Sequence, residues 1–141
     1  MMQPEEKGRK SDLVKYRLDS AETDLRSSRI LLDADDYKGA NNRAYYSIYH
    51  SIAAVLAMDG EAYKRHKDAI GNFNRKYVKS EIFSRELGRR IGHAFEIRNA
   101  SDYNDFYIAV RSETEEQIAT AEELLATVRE YCQLRNYGDE N

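Results

Sequence analysis

The stretch KGANNRAYYSIYHSIAAVLAM, Lys38 to Met58, decides the fold of this 141-residue chain. Its large apolar residues are distributed all round a helix, so they do not fit on one narrow stripe. The fifteen residues from Ala44 to Met58 carry no formal charge. This uncharged segment is shorter than the roughly 20 residues that a helix needs to cross a bilayer. The stretch therefore predicts a buried helix at the centre of a bundle, ending with Gly60 as a left-handed cap.

The sequence on both sides of this stretch shows helical spacing as well. Apolar or small residues recur at three- and four-residue steps from Asp12 to Leu32, which predicts a first helix, and the acidic residues 33–36 break it. Gly88 and Gly92, four residues apart, favour close approach by a neighbouring backbone. Three further helices are predicted, from Asp68 to Val78, from the N-cap Ser84 to Asn99, and from the capping box Ser112–Glu115 to just before Gly138.

The composition supports one helical domain. Seven Gly and a single Pro are too few for the many turns of an all-β sandwich or barrel, and 141 residues suit one domain. We therefore predict an all-α, single-domain antiparallel bundle of about five helices. Residues 1–11 are predicted to be frayed or disordered, residues 12–136 to form the bundle, and residues 137–141 to be a tail.

Cysteine and histidine usage excludes several kinds of protein. The one cysteine, Cys132, cannot form an intramolecular disulfide or contribute to a multi-cysteine zinc site, and it is predicted to be a core residue. Three histidines on separate segments lack metal-ligand spacing, and no glycine-rich phosphate loop is present, so neither a metal nor a cofactor is predicted. The polar N-terminus MMQPEEKGRKSD does not resemble a signal peptide, which predicts a cytoplasmic protein without membrane contact.

Charge is unevenly distributed along the chain. The net charge is −3, but residues 64–98 carry 10 Lys/Arg against 4 Asp/Glu, and residues 99–141 carry 3 against 10. The basic middle could attract phosphates, nucleotides or RNA. It could equally neutralise the acidic final third within the same fold.

Arg98 is the first candidate functional residue. The apolar stripe of the fourth helix, Leu87, Ile91 and Ala94, continues at the same spacing to Arg98. A guanidinium on an apolar face needs partners, and Asp102 lies four residues further on. One interpretation is a structural Arg98–Asp102 bridge covered by Tyr103. The other is that Arg98 faces a cleft and binds a phosphate.

The second helix and the loop after it supply the other candidates. Arg43, Tyr46 and His50 fall at three- and four-residue steps, so an arginine and a histidine on one face could serve phosphodiester cleavage. A satisfied buried histidine is the simpler interpretation. His66 lies in a basic run at the start of the third helix, which suits either an anion or solvent. The clustered tyrosines of the second helix are predicted to be core, and the basic run also contains Lys64, Arg65 and Lys67.

Three segments, taken together and in order, resemble the HEPN domain, a helical nucleotide-binding module of prokaryotes and higher eukaryotes. They are Asn41 to Gly60, Lys64 to Gly71 and Glu86 to Phe106, and the likeness covers about residues 12–135. The chain is most similar to the small stand-alone prokaryotic branch. The resemblance implies a bundle that dimerises and often partners a minimal nucleotidyltransferase in toxin–antitoxin modules.

Many HEPN proteins are metal-independent ribonucleases whose fourth helix ends in arginine, four to six residues, then histidine. Arg98 matches that arginine, but residues 103–105 are Tyr, Asn and Asp, so the histidine is absent. Arg43 and His50 have the motif's spacing on the wrong helix. The resemblance therefore does not carry over ribonuclease activity. Tyr103 lies near the tyrosine to which the nucleotidyltransferase adds AMP in some partnered HEPN toxins.

Three functional hypotheses follow. The leading one is a dimeric, non-catalytic or weakly catalytic module that binds nucleotide, RNA or a nucleotidyltransferase. It would bind through the end of the fourth helix and the basic stretch before it. The binding residues would be Arg98, Asp102, Tyr103, Lys64, Arg65 and His66. The second is a metal-independent ribonuclease that uses Arg43 and His50, or His66 contributed across a dimer. The third is an assembly module without a nucleotide ligand.

Overall fold

The computed structural model describes the backbone of residues 4–140 and the side chains of residues 10–135. Residues 4–140 contain helices and no strands, so the predicted all-α bundle of five helices is confirmed. A π-helical turn, Asn74–Val78, continues the third helix. The five α-helices are α1 (Pro4–Asp33), α2 (Tyr37–Met58), α3 (His66–Phe73), α4 (Arg85–Tyr103) and α5 (Arg111–Glu140).

Helix α2 lies at the centre of the bundle, as its sequence predicts. It contacts all four other helices, and 14 of its 22 residues are buried. Ile48 and Ile52 are almost fully buried, and such side chains each stabilise the fold by about 1.5–3 kcal/mol. The helix ends where predicted. Gly60 follows with φ +80°, a backbone conformation that residues with a Cβ rarely adopt.

Helices α1 and α2 pack closely along a contact of small residues, which we call the α1–α2 seam. The Ser28 hydroxyl donates to the Ala40 carbonyl, and the Ser47 hydroxyl donates to the Ala21 carbonyl, each over 2.8 Å. All four residues are wholly buried. Residue numbers rise on α1 as their partners' numbers fall on α2, so the two helices are antiparallel.

Several predicted helix boundaries are wrong. Helix α1 begins at Pro4, eight residues before the predicted start, because proline is tolerated in a first turn whose N–H groups lack helical partners; residues 1–3 lie outside the described part. The predicted capping box is wrong as well. Helix α5 already begins at Arg111, and the Thr114 amide donates to the Val110 carbonyl, which places Ser112 inside the first turn.

The predictions for glycines and helix ends have mixed outcomes. The Ser84 side chain caps α4 as predicted, by accepting from the Leu87 amide. A Cβ on Gly88 would lie 2.7 Å from Val78 Cγ1, so the close neighbour there is a side chain and not the backbone that was predicted. The prediction is wrong for Gly92, where no atom of the described residues lies within 4 Å of that position. Helix α5 continues through Gly138 to Glu140, since one glycine costs a helix only about 1 kcal/mol.

Candidate functional site

Three tyrosines of α2 form an aromatic platform at the junction with α3 and α4. The Tyr45 and Tyr49 rings are stacked with centroids 6.4 Å apart, and Tyr46 meets Tyr45 edge-on at 5.3 Å. Tyr45 and Tyr49 are buried, as predicted for core residues, and Tyr46 is half-buried. The platform therefore presents one accessible ring beside two packed ones.

His66 lies on this platform because α3 starts at His66, two residues earlier than the sequence pattern indicates. Its ring stacks on Tyr49 with centroids 3.7 Å apart, and Nδ1 lies 2.8 Å from the Tyr45 hydroxyl. Burial raises the pKa of Tyr45, so the phenol keeps its hydrogen, which it donates to Nδ1 in the tautomer of neutral His66 that carries its own hydrogen on Nε2.

The pKa of His66 is held below its ordinary value. Burial is the largest cause, because it disfavours the charged imidazolium, and the positive charge of Arg98 and the ring of His50 act in the same direction. His66 is therefore a neutral imidazole at neutral pH. A neutral ring can accept or relay a proton, which a permanently charged one cannot.

Arg98 reaches the same platform from α4. Its guanidinium carbon lies 4.9 Å from the Tyr45 ring centroid and 5.7 Å from that of Tyr46, and Nη2 donates to the Tyr46 hydroxyl over 3.3 Å. The predicted contact with Asp102 is present: Nε lies 3.6 Å from Oδ2, an ion-pair distance too long for a hydrogen bond. The side chain keeps 22% of its surface exposed, so Arg98 is held by neighbours without being enclosed.

Tyr103 does not cover the Arg98–Asp102 pair. It is the last residue of α4 and is 83% exposed, so the prediction that it covers the ion pair is wrong. Helix α4 extends four residues beyond the predicted end at Asn99. This extension is what brings Asp102 one helical turn from Arg98 and leaves Tyr103 in solvent.

Arg43 and His50 are organised by an acidic residue of α1 that the sequence prediction missed. Asp24 Oδ1 accepts from Arg43 Nη1 over 3.1 Å, and its Oδ2 lies 3.5 Å from His50 Nε2. The signal was available in the spacing, since Asp24 falls three residues after Ala21 and four before Ser28, both wholly buried. A carboxylate on that face must meet a partner on the neighbouring helix.

His50 is neutral for a similar reason to His66. Burial is the largest cause and lowers the pKa of His50. The negative charge of Asp24 raises this pKa, and the positive charges of Arg17 and Arg43 lower it. The Nδ1 of His50 is buried without a hydrogen-bond partner among the described residues, and so is the Nε of Arg17. Arg43 is committed to Asp24, and the two nitrogens of His50 are either buried or beside that carboxylate, so this pair is poorly placed for proton transfer to a ligand.

Tyr46 joins the two groups into one site. Its ring centroid lies 5.9 Å from that of His66 and 6.3 Å from that of His50, and the Arg43 guanidinium lies 5.3 Å from it. In the sequence these side chains are separate candidates on three segments, and the fold brings them together. We call the assembly the histidine–tyrosine site and define it as Tyr45, Tyr46, Tyr49, His50, His66 and Arg98.

Two predicted residues lie outside this site. Lys64 is exposed, and Arg65 is exposed and paired with Asp68 over 3.0 Å. Both residues precede α3, so they lie at the edge of the site and not among the residues that form it. Within the described side chains, no group of three His, Cys, Asp or Glu residues is arranged to hold a metal ion.

The arrangement is chemically suited to a phosphate. The guanidinium of Arg98 is partly exposed, and its one carboxylate neighbour, Asp102, lies at 3.6 Å. Neutral His66 lies on the same tyrosine platform, near enough for the charge of Arg98 to lower its pKa. An anion between these groups would meet planar donors and aromatic surface together, which is how proteins bind nucleotides.

Comparison with known proteins gives the class of this chain. The HEPN domain family matches residues 14–131, and the chain belongs to that family. It is 27% identical to the UPF0332 protein of Thermotoga maritima over 84% of this chain and 90% of that one. It is 28% identical to the Methanocaldococcus jannaschii protein named "Putative toxin MJ0142", over 72% of this chain and 68% of the relative.

A second Methanocaldococcus jannaschii relative carries a similar name. It is called "Putative toxin MJ0605" and is 31% identical over 64% of this chain and 67% of its own length. The family match over residues 14–131 confirms the family membership predicted from the sequence.

None of the helices that the structure describes combines the length and apolar character needed to cross a membrane.

Proposed function

We propose that this chain is a toxin-type HEPN module that binds RNA through the histidine–tyrosine site. One observation carries the proposal: Arg98 and His66, which are 32 positions apart in sequence, contact the same tyrosine platform, Arg98 over the Tyr45 ring and His66 stacked on Tyr49. A single-stranded RNA offers phosphates to Arg98 and His66 and a base to the half-buried Tyr46 ring. The names of two relatives support the toxin-type role.

Binding of labelled single-stranded RNA, measured by fluorescence anisotropy in EDTA over a range of salt concentrations, tests the proposal. Arg98→Ala should weaken binding by about tenfold and reduce the dependence of log affinity on log salt by about 0.7, the loss of one phosphate contact. Arg89→Ala is the matched control, because Arg89 is an exposed arginine of the same helix paired with Glu86. Equal affinity for both variants and the wild type would contradict the proposal.

A second candidate function is metal-independent RNA cleavage at the same site. The motif's histidine is missing from the end of α4, but His66 supplies a neutral imidazole from another helix on the tyrosine platform that Arg98 also contacts. Such a reaction uses the His66 tautomer in which Nδ1–H donates to the Tyr45 hydroxyl oxygen, so that Nε2 can take the proton of the ribose 2′-hydroxyl, whose oxygen attacks the phosphorus. The 5′-oxygen of the next nucleotide leaves with a proton from water, the imidazolium returns its proton to solvent, and Arg98 stabilises the charge on the phosphorane.

RNA incubated with the protein in EDTA distinguishes this candidate from binding alone. Cleavage products should end in a 2′,3′-cyclic phosphate, and His66→Ala should abolish them. His93→Ala is the control, since His93 is an exposed histidine of α4 beside Glu96. Intact RNA with wild-type protein at concentrations that saturate binding would exclude cleavage and leave the binding function.

We also propose a cytoplasmic homodimer with a minimal nucleotidyltransferase as the protein partner. Tyr103 is the proposed acceptor of AMP, because its side chain is 83% exposed at the end of α4. The phenol oxygen would attack the α-phosphate of ATP and release pyrophosphate. Mass spectrometry after co-expression should show one added AMP that Tyr103→Phe abolishes; the same modification on the Phe variant would contradict this assignment.

A further inference from the structure

A cleft between α1 and α2 opens beside the histidine–tyrosine site. Its volume is about 490 Å³, within the roughly 300–1,000 Å³ typical of small-molecule pockets. Tyr46 and His50 belong to both the cleft and the site, so the two are continuous. The cleft is large enough for one nucleoside.

The two walls of the cleft differ in chemistry. The α2 wall carries Arg43 and the accessible Tyr46 ring, whereas the α1 wall carries the Asp19 carboxylate, the Ser20 and Thr23 hydroxyls, and Tyr16. Tyr16 is 65% exposed although it is a large aromatic side chain. Each helix therefore presents one tyrosine to the cleft, and a flat aromatic ligand could stack on either.

The Arg43–Asp24 ion pair connects the two walls. Asp24 is only 13% exposed and is engaged by Arg43 and His50, so its carboxylate is unavailable to a ligand. Asp19 is the available acceptor, because its side chain is 62% exposed. Its contact with Lys15 is a surface pair of the kind that contributes little to stability, so a ligand can compete for it.

We propose that this cleft binds one base of the RNA and selects bases that carry an exocyclic amino group. The inference rests on the proposed RNA-binding function and names the part of the RNA that the cleft reads. Stacking on Tyr16 or Tyr46 holds any base, whereas the Asp19 carboxylate accepts from the amino group of adenine or cytosine. Uracil has no amino group and leaves that carboxylate with a weaker partner.

Anisotropy measurements with short labelled oligomers of rA, rC and rU test the inference in EDTA. The wild type should bind rA and rC about fivefold or more tightly than rU. Tyr16→Ala should weaken rA binding about tenfold, and Tyr16→Phe should retain it because the ring is kept. Asp19→Asn should reduce the preference over rU. Ile30→Ala, a change at an exposed apolar residue of the same helix, is the control and should have no effect.

The outcomes separate this inference from the function on which it rests. If Arg98→Ala weakens binding but Tyr16→Ala behaves like Ile30→Ala, the RNA-binding site stands and the base cleft is wrong. Equal wild-type affinity for rA, rC and rU likewise overturns base selection. If none of the oligomers binds, or Arg98→Ala has no effect, the proposed function fails and this inference fails with it.

Discussion

Two regions around helix α2 accommodate buried polar groups in opposite ways. Along the α1–α2 seam, the hydroxyls of Ser28 and Ser47 each donate to a carbonyl of the opposite helix. At the histidine–tyrosine site, His50 Nδ1 and Arg98 Nε are buried and make no hydrogen bond within the part of the chain that the structure describes. A buried polar group without a partner lowers stability by about 1–3 kcal/mol. These two unpaired groups therefore lower stability, whereas the seam hydroxyls contribute to it.

This difference indicates where each kind of mutation should act. Substitutions in the seam should change the free energy of unfolding and leave ligand affinity alone, because its residues are wholly buried away from ligands. Replacing Arg98 or His66 should do the reverse, whereas the buried Tyr45 and Tyr49 of the site also belong to the core. The following predictions test this contrast.

The largest effect is expected from overfilling the seam. Ala21→Leu adds three carbon atoms to a wholly buried position whose carbonyl accepts from Ser47, so the two helices must move apart. We expect the free energy of unfolding to fall by about 3 kcal/mol in urea denaturation. Ala126→Leu, at an exposed position of α5, should change it little. Similar losses from both variants would show that the seam is not tightly packed.

A smaller loss is expected from removing one seam hydrogen bond. Ser47→Ala deletes the hydroxyl that donates to the Ala21 carbonyl, and we expect a loss of about 1 kcal/mol in the same measurement. Ser27→Ala, at a half-buried serine of α1, is the comparison. An unchanged free energy of unfolding for Ser47→Ala would argue against a contribution of these hydroxyls to pairing.

Arg98→Ala should affect stability no more than the seam hydroxyl does. The stacked guanidinium contributes less than about 1 kcal/mol, since part of it remains in solvent and its ion pair with Asp102 is half-exposed. Urea denaturation of Arg98→Ala and Arg89→Ala should therefore give similar curves, although only the first loses RNA affinity. A loss as large as that of Ala21→Leu would make Arg98 a structural residue.

The smallest effect is a pH dependence from the two histidines. Their pKa values are lowered in the folded protein, so below the unfolded-state value of about 6.5 the unfolded chain binds more protons. The free energy of unfolding should be level above that pH and fall as the pH decreases toward 5.5. His66→Gln should flatten part of this decrease. A wild-type slope retained in both His66→Gln and His50→Gln would contradict neutral histidines in the fold.

The sequence was sufficient for the bundle because its signals are local. The apolar stretch of α2, the spacing of α1 and the Ser84 cap each depend on residues within a few turns of one helix. The boundaries were less predictable. Helix α4 reaches Tyr103 and helix α5 begins at Arg111, although polar residues in both places are typical of a loop. Helix ends are hard to place from sequence because propensity is a weak guide at exposed positions, and both of these ends are exposed.

The site could be predicted residue by residue but not as one assembly. Arg98, His66, Arg43 and His50 were all identified from their types and spacing. Their meeting at Tyr46 depends on how α3 and α4 cross α2, and spacing within a helix contains no information on crossing. Asp24 was missed because an acidic residue in an amphipathic helix is usually solvated. Its position between Ala21 and Ser28 is the pattern that could have revealed it.

A double-mutant cycle on RNA affinity tests the central claim, that Arg98 and His66 act as one site. Dissociation constants in EDTA are needed for the wild type, Arg98→Ala, His66→Ala and the double variant. We predict that each single change weakens binding and that the double variant binds scarcely more weakly than Arg98→Ala, because the two groups hold the same phosphate. Fully additive losses, or no loss from either single change, would contradict a shared site.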